Sequence, residues 1–431
     1  MSTRPTSAQP PEGVTSGDVA SDDVAGDDVA SDSVAGADTR PASKVVRALK
    51  LDRWPGETSV VRKTSTSSVA WSWILAAIIV SVGSIARLST LALFAAANDD
   101  NLWGLLNKWD AAHYVDIARS GYFAGTIGGD PAEEIRLAFF PAFPMVMRVM
   151  ANLTGLDFAL AGMFFNFVAT VFLARGAMAL TARWGYDSAG QSAAAVVVTM
   201  APMSIVFNMP YTEALYGALA IWALVALVDK RWWLAGSLIF ALSFVRITAI
   251  GLVAVFAIMV MVHARSSWKA WLAVVISPLP LAGYIWWASQ HLTAVGGYFG
   301  TQEKHWNSGL DFGQATARWI FETLTSAENA GYLLSTLVIL GVPFALIMAW
   351  RRVDIATWLF SLALSANIIL SDGIMHSRPR LLLQAAVLFI PWAWGALTYL
   401  PRWLAWVLIV GWAAFGTWFS AYMLAVFPWA I

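Results

Sequence analysis

The chain has 431 residues, of which 58% are apolar and only 13% are charged. Soluble globular proteins are about half apolar, so this excess predicts a protein embedded in a lipid bilayer. Basic and acidic residues balance at 27 each, and cysteine is absent. The balance excludes the basic footprint of a nucleic-acid-binding protein, and the lack of cysteine excludes disulfides, thiolate metal sites and cysteine nucleophiles.

Residues 1–64 differ in composition from the rest of the chain. Four acidic pentads run from Ser16 to Ala35, and bulky apolar side chains are scarce, which predicts disorder. Basic residues from Lys44 to Lys63 precede the first apolar run, so the positive-inside rule places the N-terminus in the cytoplasm. We therefore divide the chain into a disordered cytoplasmic tail, 1–64, and a transmembrane domain, 65–431.

Apolar segments of roughly the 20 residues needed to cross a bilayer recur along the second part. They predict an all-α polytopic membrane protein with about eleven spans. The predicted spans are 68–97, 158–181, 188–208, 210–228, 232–245, 246–262, 268–290, 330–350, 354–371, 380–400 and 402–427. The run 232–262 is interpreted as a hairpin of two spans, because Arg246 interrupts it near the middle.

The distribution of charge tests this topology. Every short inner loop then carries Lys or Arg, as the positive-inside rule requires, whereas a single span at 232–262 would place Arg351 and Arg352 outside. Of the 17 acidic residues beyond the tail, 14 fall on the outer side. So do the long loops 98–157 and 291–329, and long loops between spans usually carry function. We expect an active site on the outer face of the cell membrane, and an outer C-terminus.

The first outer loop contains the sequence Lys108-Trp109-Asp110-Ala-Ala-His113. Its side chains are spaced as on a short amphipathic helix lying in the membrane interface. Such a helix would hold the Asp110 carboxylate at the membrane surface beside His113, where it could act as a base. The alternative, favoured on these residues alone, is that Asp110 caps a helix beginning at Ala111.

Three further features, the segment 137–144, Glu213 and Arg246, each have a structural and a functional interpretation. The prolines of 137–144 break helix and would present the neighbouring aromatic side chains at the interface, in either a re-entrant turn or a lipid-binding segment. Glu213 stands near the start of a span, where helix capping alone could explain it. Arg246, inside an apolar run, is either a functional residue or the partner of a structural acid such as Glu213.

The remaining candidates lie in the second long loop and before the tenth predicted span. Gln302, Lys304 and His305 follow one another in the loop. Arg378 and Arg380 stand at a span mouth, where guanidinium groups could bind phosphate oxygens bidentately. Arginine near a span end also often only snorkels to the interface. Motifs of nucleotide, zinc and serine-hydrolase sites (the Walker loop, HExxH and GxSxG) are absent at plausible places, so neither a metal nor another cofactor is expected.

Together these landmarks resemble the PIG-V family, the GPI mannosyltransferase II group of the C-type glycosyltransferases (GT-C). The resemblance covers about 70–400 and rests on six motifs in the family's order. They are Trp109-Asp110-Ala-Ala-His113 with Gly121-Tyr122, Phe139–Pro144, Tyr211-Thr-Glu213-Ala-Leu-Tyr216, Ser243–Arg246, Phe299-Gly300-Thr-Gln302-Glu303 with Trp306, and Ser377–Arg380. The lack of cysteine and the Ala/Val/Trp-rich usage indicate a bacterial, actinobacterial member.

The resemblance implies a mannosyltransferase with a GT-C fold. Its donor would be a polyprenyl-phosphate sugar, its acceptor a glycolipid or cell-envelope glycan, and its reaction a single displacement with inversion. Asp110 would be the catalytic base. Donor phosphate would be bound by Arg246, Arg378, Arg380, Lys304 and His305, and the substrate pocket would include Trp109, His113, Tyr211, Glu213 and Gln302.

One departure and two rival classes stay open. Eukaryotic members often have Arg-Ser-Asn-Gly where this chain has Arg246-Ile-Thr-Ala249, which puts acceptor contacts there in doubt. The first rival is a C-type transferase of another sugar, or a protein O-mannosyltransferase. The second is a transporter or lipid flippase, which we disfavour because no internal repeat is visible and the charges crowd one face.

Overall fold

A computed structural model describes residues 66–326 and 328–429 of the chain. This part is mostly helical, as predicted, with one small antiparallel hairpin in which Thr126 pairs with Pro131 and Ile127 with Asp130. The predicted tail 1–64, with its pentads and basic stretch, lies outside the described residues.

The elements up to the predicted 232–262 hairpin are eight α-helices, the β-hairpin and one 3-10 turn. In chain order they are α1 (Thr66–Ala97), α2 (Leu102–Leu106), α3 (Asp110–Ser120), β1 (Thr126–Ile127), β2 (Asp130–Pro131), α4 (Ala132–Arg136), α5 (Ala142–Thr154), α6 (Phe158–Arg183), α7 (Ser188–Thr199), the 3-10 turn Ser204–Asn208 and α8 (Glu213–Val228).

The rest of the described chain contains helices and 3-10 turns. In order they are α9 (Trp232–Leu242), α10 (Ala249–His263), α11 (Trp268–Ile276), α12 (Leu279–His291), the 3-10 turn Thr293–Val295, α13 (Gly297–Trp306), α14 (Gln314–Ser326), α15 (Ala330–Ala349), α16 (Ile355–Ile369), the 3-10 turn Met375–Ser377, α17 (Arg378–Leu381), the 3-10 turn Leu383–Phe389, α18 (Ile390–Tyr399) and α19 (Arg402–Ala425).

Within the described residues, five helical segments are long and apolar enough to cross a membrane. They are Val69–Ala97, Phe158–Arg183, Trp268–His291, Ala330–Ala349 and Arg402–Ala425, and a sixth is possible if the pair Met375–Leu381 and Leu383–Tyr399, bent by 60°, forms one span. The predicted count of about eleven spans is therefore not confirmed.

Part of the difference between the predicted number of spans and the number of long apolar helices comes from four helices. The sequence predicted their positions correctly but overestimated their lengths. The apolar segments at 210–228, 232–245, 246–262 and 354–371 form α8, α9, α10 and α16, which have 16, 11, 15 and 15 residues. A perpendicular span needs roughly 20 residues. The run 232–262 is interrupted at 243–248 around Arg246, in agreement with the predicted break.

Several helices begin where a short polar side chain accepts a first-turn backbone N–H. Asp157 caps α6, Asp187 caps α7, Asn329 caps α15 and Asp354 caps α16. Asp and Asn are good N-caps because their oxygens replace the carbonyl partners that the first turn lacks.

The predicted span 188–208 breaks after Thr199, and the irregular stretch 200–212 leads to the first turn of α8. Buried side chains satisfy its polar groups. Asn166 donates to the Met209 and Tyr211 carbonyls at 2.6 and 2.7 Å. Arg87, 1% exposed, donates to Asn208 Oδ1 at 2.7 Å and to the Thr199 carbonyl at 2.8 Å. Irregular backbone inside a membrane protein is tolerated only when its polar groups are satisfied in this way.

The two long loops lie against each other on one side of the helices. Their shared core contains Phe139, Phe140 and Phe143, each at most 7% exposed, together with Tyr284 and Tyr298. The Tyr298 hydroxyl donates to the Ala138 carbonyl at 3.3 Å. The aromatic residues of 137–144 are thus buried between the loops. This corrects the expectation that they face the interface, since the loop partners that cover them come from distant sequence.

Candidate active site

Asp110 is the first residue of α3 and faces a buried arginine from the other end of the chain. Arg380 Nη1 donates to Asp110 Oδ2 at 2.5 Å, and the Asp110 side chain is 23% exposed. The residue makes no capping hydrogen bond, since the N-cap is Trp109 and no side chain caps the helix. The capping interpretation of Asp110 is therefore wrong, and its carboxylate is available for chemistry.

The turn that presents Asp110 has an unusual backbone conformation. Trp109 has φ 61° and ψ −129°, a region that costs a non-glycine residue about 1–3 kcal/mol and is often found at functional sites. The Tyr211 hydroxyl donates to the carbonyl of Lys108, the residue before Trp109, at 3.3 Å and so fixes the backbone there. The same Tyr211 ring lies 5.0 Å from the Arg380 guanidinium carbon. Tyr211 therefore positions both members of the Asp110–Arg380 pair.

Glu213 forms a second carboxylate behind the first. It is the first residue of α8, as predicted, and its side chain is only 2% exposed. Arg246 Nη1 donates to Glu213 Oε1 at 3.0 Å, and Arg380 Nε lies 3.8 Å from the same oxygen. The partner anticipated for Arg246 is thus present. Two carboxylates and two arginines alternate, with Arg380 held between Asp110 and Glu213.

A cavity of about 260 Å³ opens beside this group. Four predicted site residues line it together with Asp110: Arg246, Gln302, Arg378 and Arg380. Neither Tyr211 nor Glu213 lines the cavity, so these two support the site from behind. Other lining residues that the sequence did not single out include Tyr114, Tyr298, Ser308, Asn367, Ser371 and Asp372.

Arg378 lines the cavity but is heavily engaged. One guanidinium nitrogen donates to Thr316 Oγ1 and another to the Ser371 carbonyl at 2.5 Å. The side chain is 2% exposed. These hydrogen bonds of Arg378 thus stabilise the segment before α17, and the residue still lines the cavity. The snorkelling interpretation does not hold for Arg378 or Arg380, because both are buried.

Besides Tyr211 and Glu213, four predicted site residues do not line the cavity. Trp109 is 36% exposed, and the half-buried His113 ring packs 5.1 Å from the Phe139 ring. Lys304 Nζ contacts Glu134 Oε2 at 2.6 Å and Asp130 Oδ2 at 3.4 Å. His305 Nε2 lies 3.8 Å from the same Glu134 oxygen. Substrate or phosphate contacts of these residues stay a prediction that the cavity does not favour.

The ligand atoms of Asp130, Glu134 and His305 lie within 4.8 Å of one another, close enough to share a metal ion. The ammonium group of Lys304 already contacts both carboxylates. A divalent cation would therefore have to displace an existing ion pair, and we assign no metal role to this group.

His113 and Asp311 both have pKa values that depart from their usual range. Burial lowers the pKa of His113, and the neighbouring Asp110 opposes this shift. Backbone N–H groups of Ala315 and Gly313 hold the pKa of Asp311 below its usual value, because they donate to the charged carboxylate at the start of α14.

Comparisons with known proteins agree with the motifs. A family model described as Mannosyltransferase (PIG-V) matches residues 76–271. The mouse (Mus musculus) GPI alpha-1,6-mannosyltransferase 2 is 29% identical over 158 residues, which are 33% of this chain and 29% of the relative. Both matches support the PIG-V family. The aligned part is under a third of the mouse protein's length, and the family match includes Asp110, Glu213 and Arg246 but not Arg378 or Arg380.

The fold is shared with a solved structure. The crystal structure of ArnT from Cupriavidus metallidurans bound to undecaprenyl phosphate superimposes with a TM-score of 0.50 at 15% identity, covering 78% of this chain and 62% of that chain. The identity is low, so the likeness concerns the helical fold alone.

Proposed function

We propose that the protein is a mannosyltransferase that transfers mannose from a polyprenyl-phosphate donor to a lipid-linked or cell-envelope glycan on the outer face of the membrane. The observation that carries the proposal is the partly exposed Asp110 carboxylate, paired with Arg380 at the edge of a cavity that three arginines line. The sugar is taken from the PIG-V match, and a prenyl-phosphate carrier from the lipid named with the ArnT structure.

The reaction requires one proton acceptor and one anion-binding group. An acceptor hydroxyl oxygen forms a bond to the anomeric carbon of mannose while the bond from that carbon to the phosphate oxygen breaks. The hydroxyl proton passes to Asp110, and the lipid phosphate leaves with the bonding electron pair. A positioned base typically contributes ~10²–10⁴-fold. Because the attack comes from the opposite face, a β-linked donor yields an α-mannoside.

The arginines give the leaving phosphate its electrostatic partner. Guanidinium groups bind phosphate oxygens through charge-assisted hydrogen bonds, and fixed charges in a cavity stabilise the charge that develops in the transition state. Arg380 connects the two functions, since it contacts Asp110 and lines the same cavity.

Burial separates the roles of the two carboxylates. Asp110 lines the cavity and is 23% exposed at its side chain, whereas Glu213 is 2% exposed and does not line it. A general base must come within hydrogen-bonding distance of the proton that it accepts. Glu213 therefore acts as the counter-ion that keeps Arg246 and Arg380 in place.

Membranes from a strain that lacks the gene, and from the same strain complemented with it, test the proposal. Both are incubated with radiolabelled polyprenyl-phosphate mannose. We expect label in a lipoglycan or polymer only after complementation. Equal labelling in the two preparations would contradict the mannosyltransferase assignment, and labelling only from a donor of another sugar would replace mannose with that sugar.

A further inference from the structure

One wall of the cavity has the composition of a binding site for sugar hydroxyls. It consists of Trp306 and Ser308 from the end of α13, in the middle of the second long loop, and Asn367, Ser371 and Asp372 from the end of α16 onward. We call this set the 306–372 wall. It combines a carboxylate, an amide and two hydroxyls with one indole ring. Small numbers of placed polar groups beside an aromatic surface are how pockets orient a ligand.

The chain holds the carboxylate of this wall in a defined position. Asn307 Nδ2 donates to Asp372 Oδ2 at 2.9 Å, and the Gly373 backbone N–H donates to Asp372 Oδ1 at 2.7 Å. The Asp372 backbone N–H donates to the Gly309 carbonyl at 2.7 Å and joins the two segments. An ionised carboxylate has about four lone-pair sites, so Asp372 retains sites for ligand hydroxyls.

The Ser371 hydroxyl donates to the Asn367 carbonyl at 2.9 Å, whereas the other three polar side chains of the wall have unused capacity. In the described part of the chain, no hydrogen bond is recorded for the Ser308 hydroxyl, the Asn367 amide or the Trp306 indole N–H, and both Ser308 and Asn367 are exposed. These groups offer donors and acceptors on the same side of the cavity as the Asp372 carboxylate. A neutral sugar ring presents hydroxyls that both donate and accept, together with an apolar face that could pack on the indole.

The charges around the cavity favour a neutral ligand once the donor is bound. Arg246, Arg378 and Arg380 are formally balanced by Asp110, Asp372 and Glu213. A bound donor phosphodiester adds a negative charge, so a second anion would meet net repulsion. A like charge in a partly buried site costs far more than in water, because screening there is weak.

We infer that the 306–372 wall is the acceptor subsite and that it takes an uncharged sugar, with Asp372 accepting hydrogen bonds from the sugar hydroxyls. The inference rests on the proposed function and adds the residues and the acceptor class. In this arrangement Asp110 accepts the proton of the attacking hydroxyl, and Asp372 binds the hydroxyls that do not react.

The test uses the full chain in detergent with radiolabelled polyprenyl-phosphate mannose and two soluble acceptors, octyl α-D-mannopyranoside and octyl β-D-glucuronide. Wild-type protein should prefer the mannoside. Asp372→Asn keeps the side-chain volume and removes the charge, and we expect it to raise the KM for the mannoside by roughly 10- to 100-fold, the factor that loss of a charge-assisted hydrogen bond gives. The KM for the donor should stay within about twofold of the wild-type value.

A change in acceptor preference separates binding from a structural role. Asp372→Asn should lower the ratio of kcat/KM for the mannoside to kcat/KM for the glucuronide by at least about tenfold, since a charge that repels the glucuronide carboxylate is gone. Asn367→Ala changes an exposed side chain, so it should fold normally and also raise the mannoside KM. The matched control is Asp311→Asn, which removes a nearby carboxylate charge outside the cavity lining while its amide oxygen can still accept from one of the Gly313 and Ala315 backbone N–H groups; its preference should equal that of wild type.

The possible failures are distinguishable. Wild-type protein that consumes donor but transfers to neither glycoside, or that prefers the glucuronide, overturns the neutral-sugar subsite and leaves the mannosyltransferase proposal standing. Asp372→Asn and Asn367→Ala variants with wild-type KM values and preference overturn the wall as the subsite. If wild-type protein consumes no donor at all, both the proposed function and the inference fall.

Discussion

At the scale of single residues, the site depends on how four charges share a partly buried space. Glu213 has two arginine neighbours and almost no solvent, whereas Asp110 has Arg380 on one side and the cavity on the other. Removing one partner of a buried ion pair costs about 3–5 kcal/mol, because it leaves the other charge uncompensated. The two carboxylates should therefore respond in opposite ways to neutralisation.

Asp110→Asn should abolish most activity and leave the fold nearly intact. An amide cannot accept the hydroxyl proton, so turnover should fall by at least about 10²-fold. The Asn side chain keeps the volume, its amide oxygen can still accept from Arg380 Nη1, and Glu213 Oε1 remains 3.8 Å from Arg380 Nε. The midpoint of thermal unfolding in detergent should therefore fall less than in Glu213→Gln. Radiolabelled mannose transfer and thermal unfolding measure the two effects on the same preparation.

Glu213→Gln provides the matched comparison. It leaves Arg246 and part of Arg380 uncompensated, so it should lower the free energy of unfolding by about 3–5 kcal/mol. Turnover per folded molecule should suffer less than in Asp110→Asn. If Asp110→Asn turns over normally while Glu213→Gln is folded and inactive, the role of base passes to Glu213.

Arg380→Lys should reduce donor use although it conserves the charge. A single ammonium group cannot contact Asp110 and Glu213 while also binding a phosphate bidentately. The loss of one charge-assisted contact, about 1.5–3 kcal/mol, should lower kcat/KM for the donor by roughly 10- to 100-fold. Arg119→Lys is the control, since Arg119 is 53% exposed at its side chain and pairs with Asp157 away from the cavity. Equal kinetics of Arg380→Lys and wild type would remove Arg380 from the phosphate site.

At the scale of elements, the entry into α8 connects the helical scaffold to the site. The irregular stretch 200–212 ends in Tyr211 and Thr212, which contact Arg380 and Tyr114. Glu213, the first residue of α8, contacts Arg246. Gln384, from the 3-10 turn after α17, donates to the Glu213 carbonyl at 2.9 Å. This hydrogen bond thus holds the first turn of α8 next to the segment that carries Arg378 and Arg380.

Gly217 makes this contact possible. A Cβ added there would lie 2.4 Å from Gln384 Oε1, so Gly217→Ala should displace the Gln384 side chain and lose its hydrogen bond to Glu213. That loss, about 0.5–1.5 kcal/mol, is offset by the ~1 kcal/mol gain of Ala over Gly in a helix. We expect nearly unchanged stability and a several-fold lower turnover.

Gly341→Ala is the control for the glycine substitution. Gly341 is also helical, and its added Cβ would meet nothing within 4 Å. This variant should gain up to about 1 kcal/mol in stability and keep its turnover. Parallel loss of activity in both variants would show that helix flexibility, and not the Gln384 contact, limits the reaction.

At the scale of the whole molecule, the two long loops and the α16–α17 connection form one functional side. Lys304 contacts Asp130 and Glu134, Asn307 contacts Asp372, and Arg380 contacts Asp110. Residues separated by up to 270 positions therefore meet on this side, and Asp110, Asp372 and Arg380 line the same cavity. Which side of the membrane this is follows from the distribution of Lys and Arg in the loops, and stays a prediction.

Single cysteines test that orientation, because the native chain contains none. Ser308→Cys, at an exposed position of the cavity wall, should react with a membrane-impermeant maleimide in intact cells. Ser188→Cys, at an exposed position that the topology places inside, should react only after lysis. The reverse pattern would place the cavity in the cytoplasm and overturn the outer-face assignment.

The sequence by itself determined the membrane class and the approximate position of the long apolar helices, which follow from apolar length and helix-breaking residues. Arg246 was a candidate as an ionisable group in an apolar run. The role of Asp110 as base came from the resemblance of its motif and stays a prediction, as do the roles of Glu213, Arg378 and Arg380. Only the tertiary structure decided that Arg380 pairs with Asp110, that Glu213 is out of reach, and that Asp372 faces the same cavity. It also showed the aromatic 137–144 segment to be buried and several apolar helices to be shorter than the roughly 20 residues of a perpendicular span. Burial, pairing and the break after Thr199 depend on partners from distant parts of the chain, which local patterns of hydrophobicity and charge do not contain.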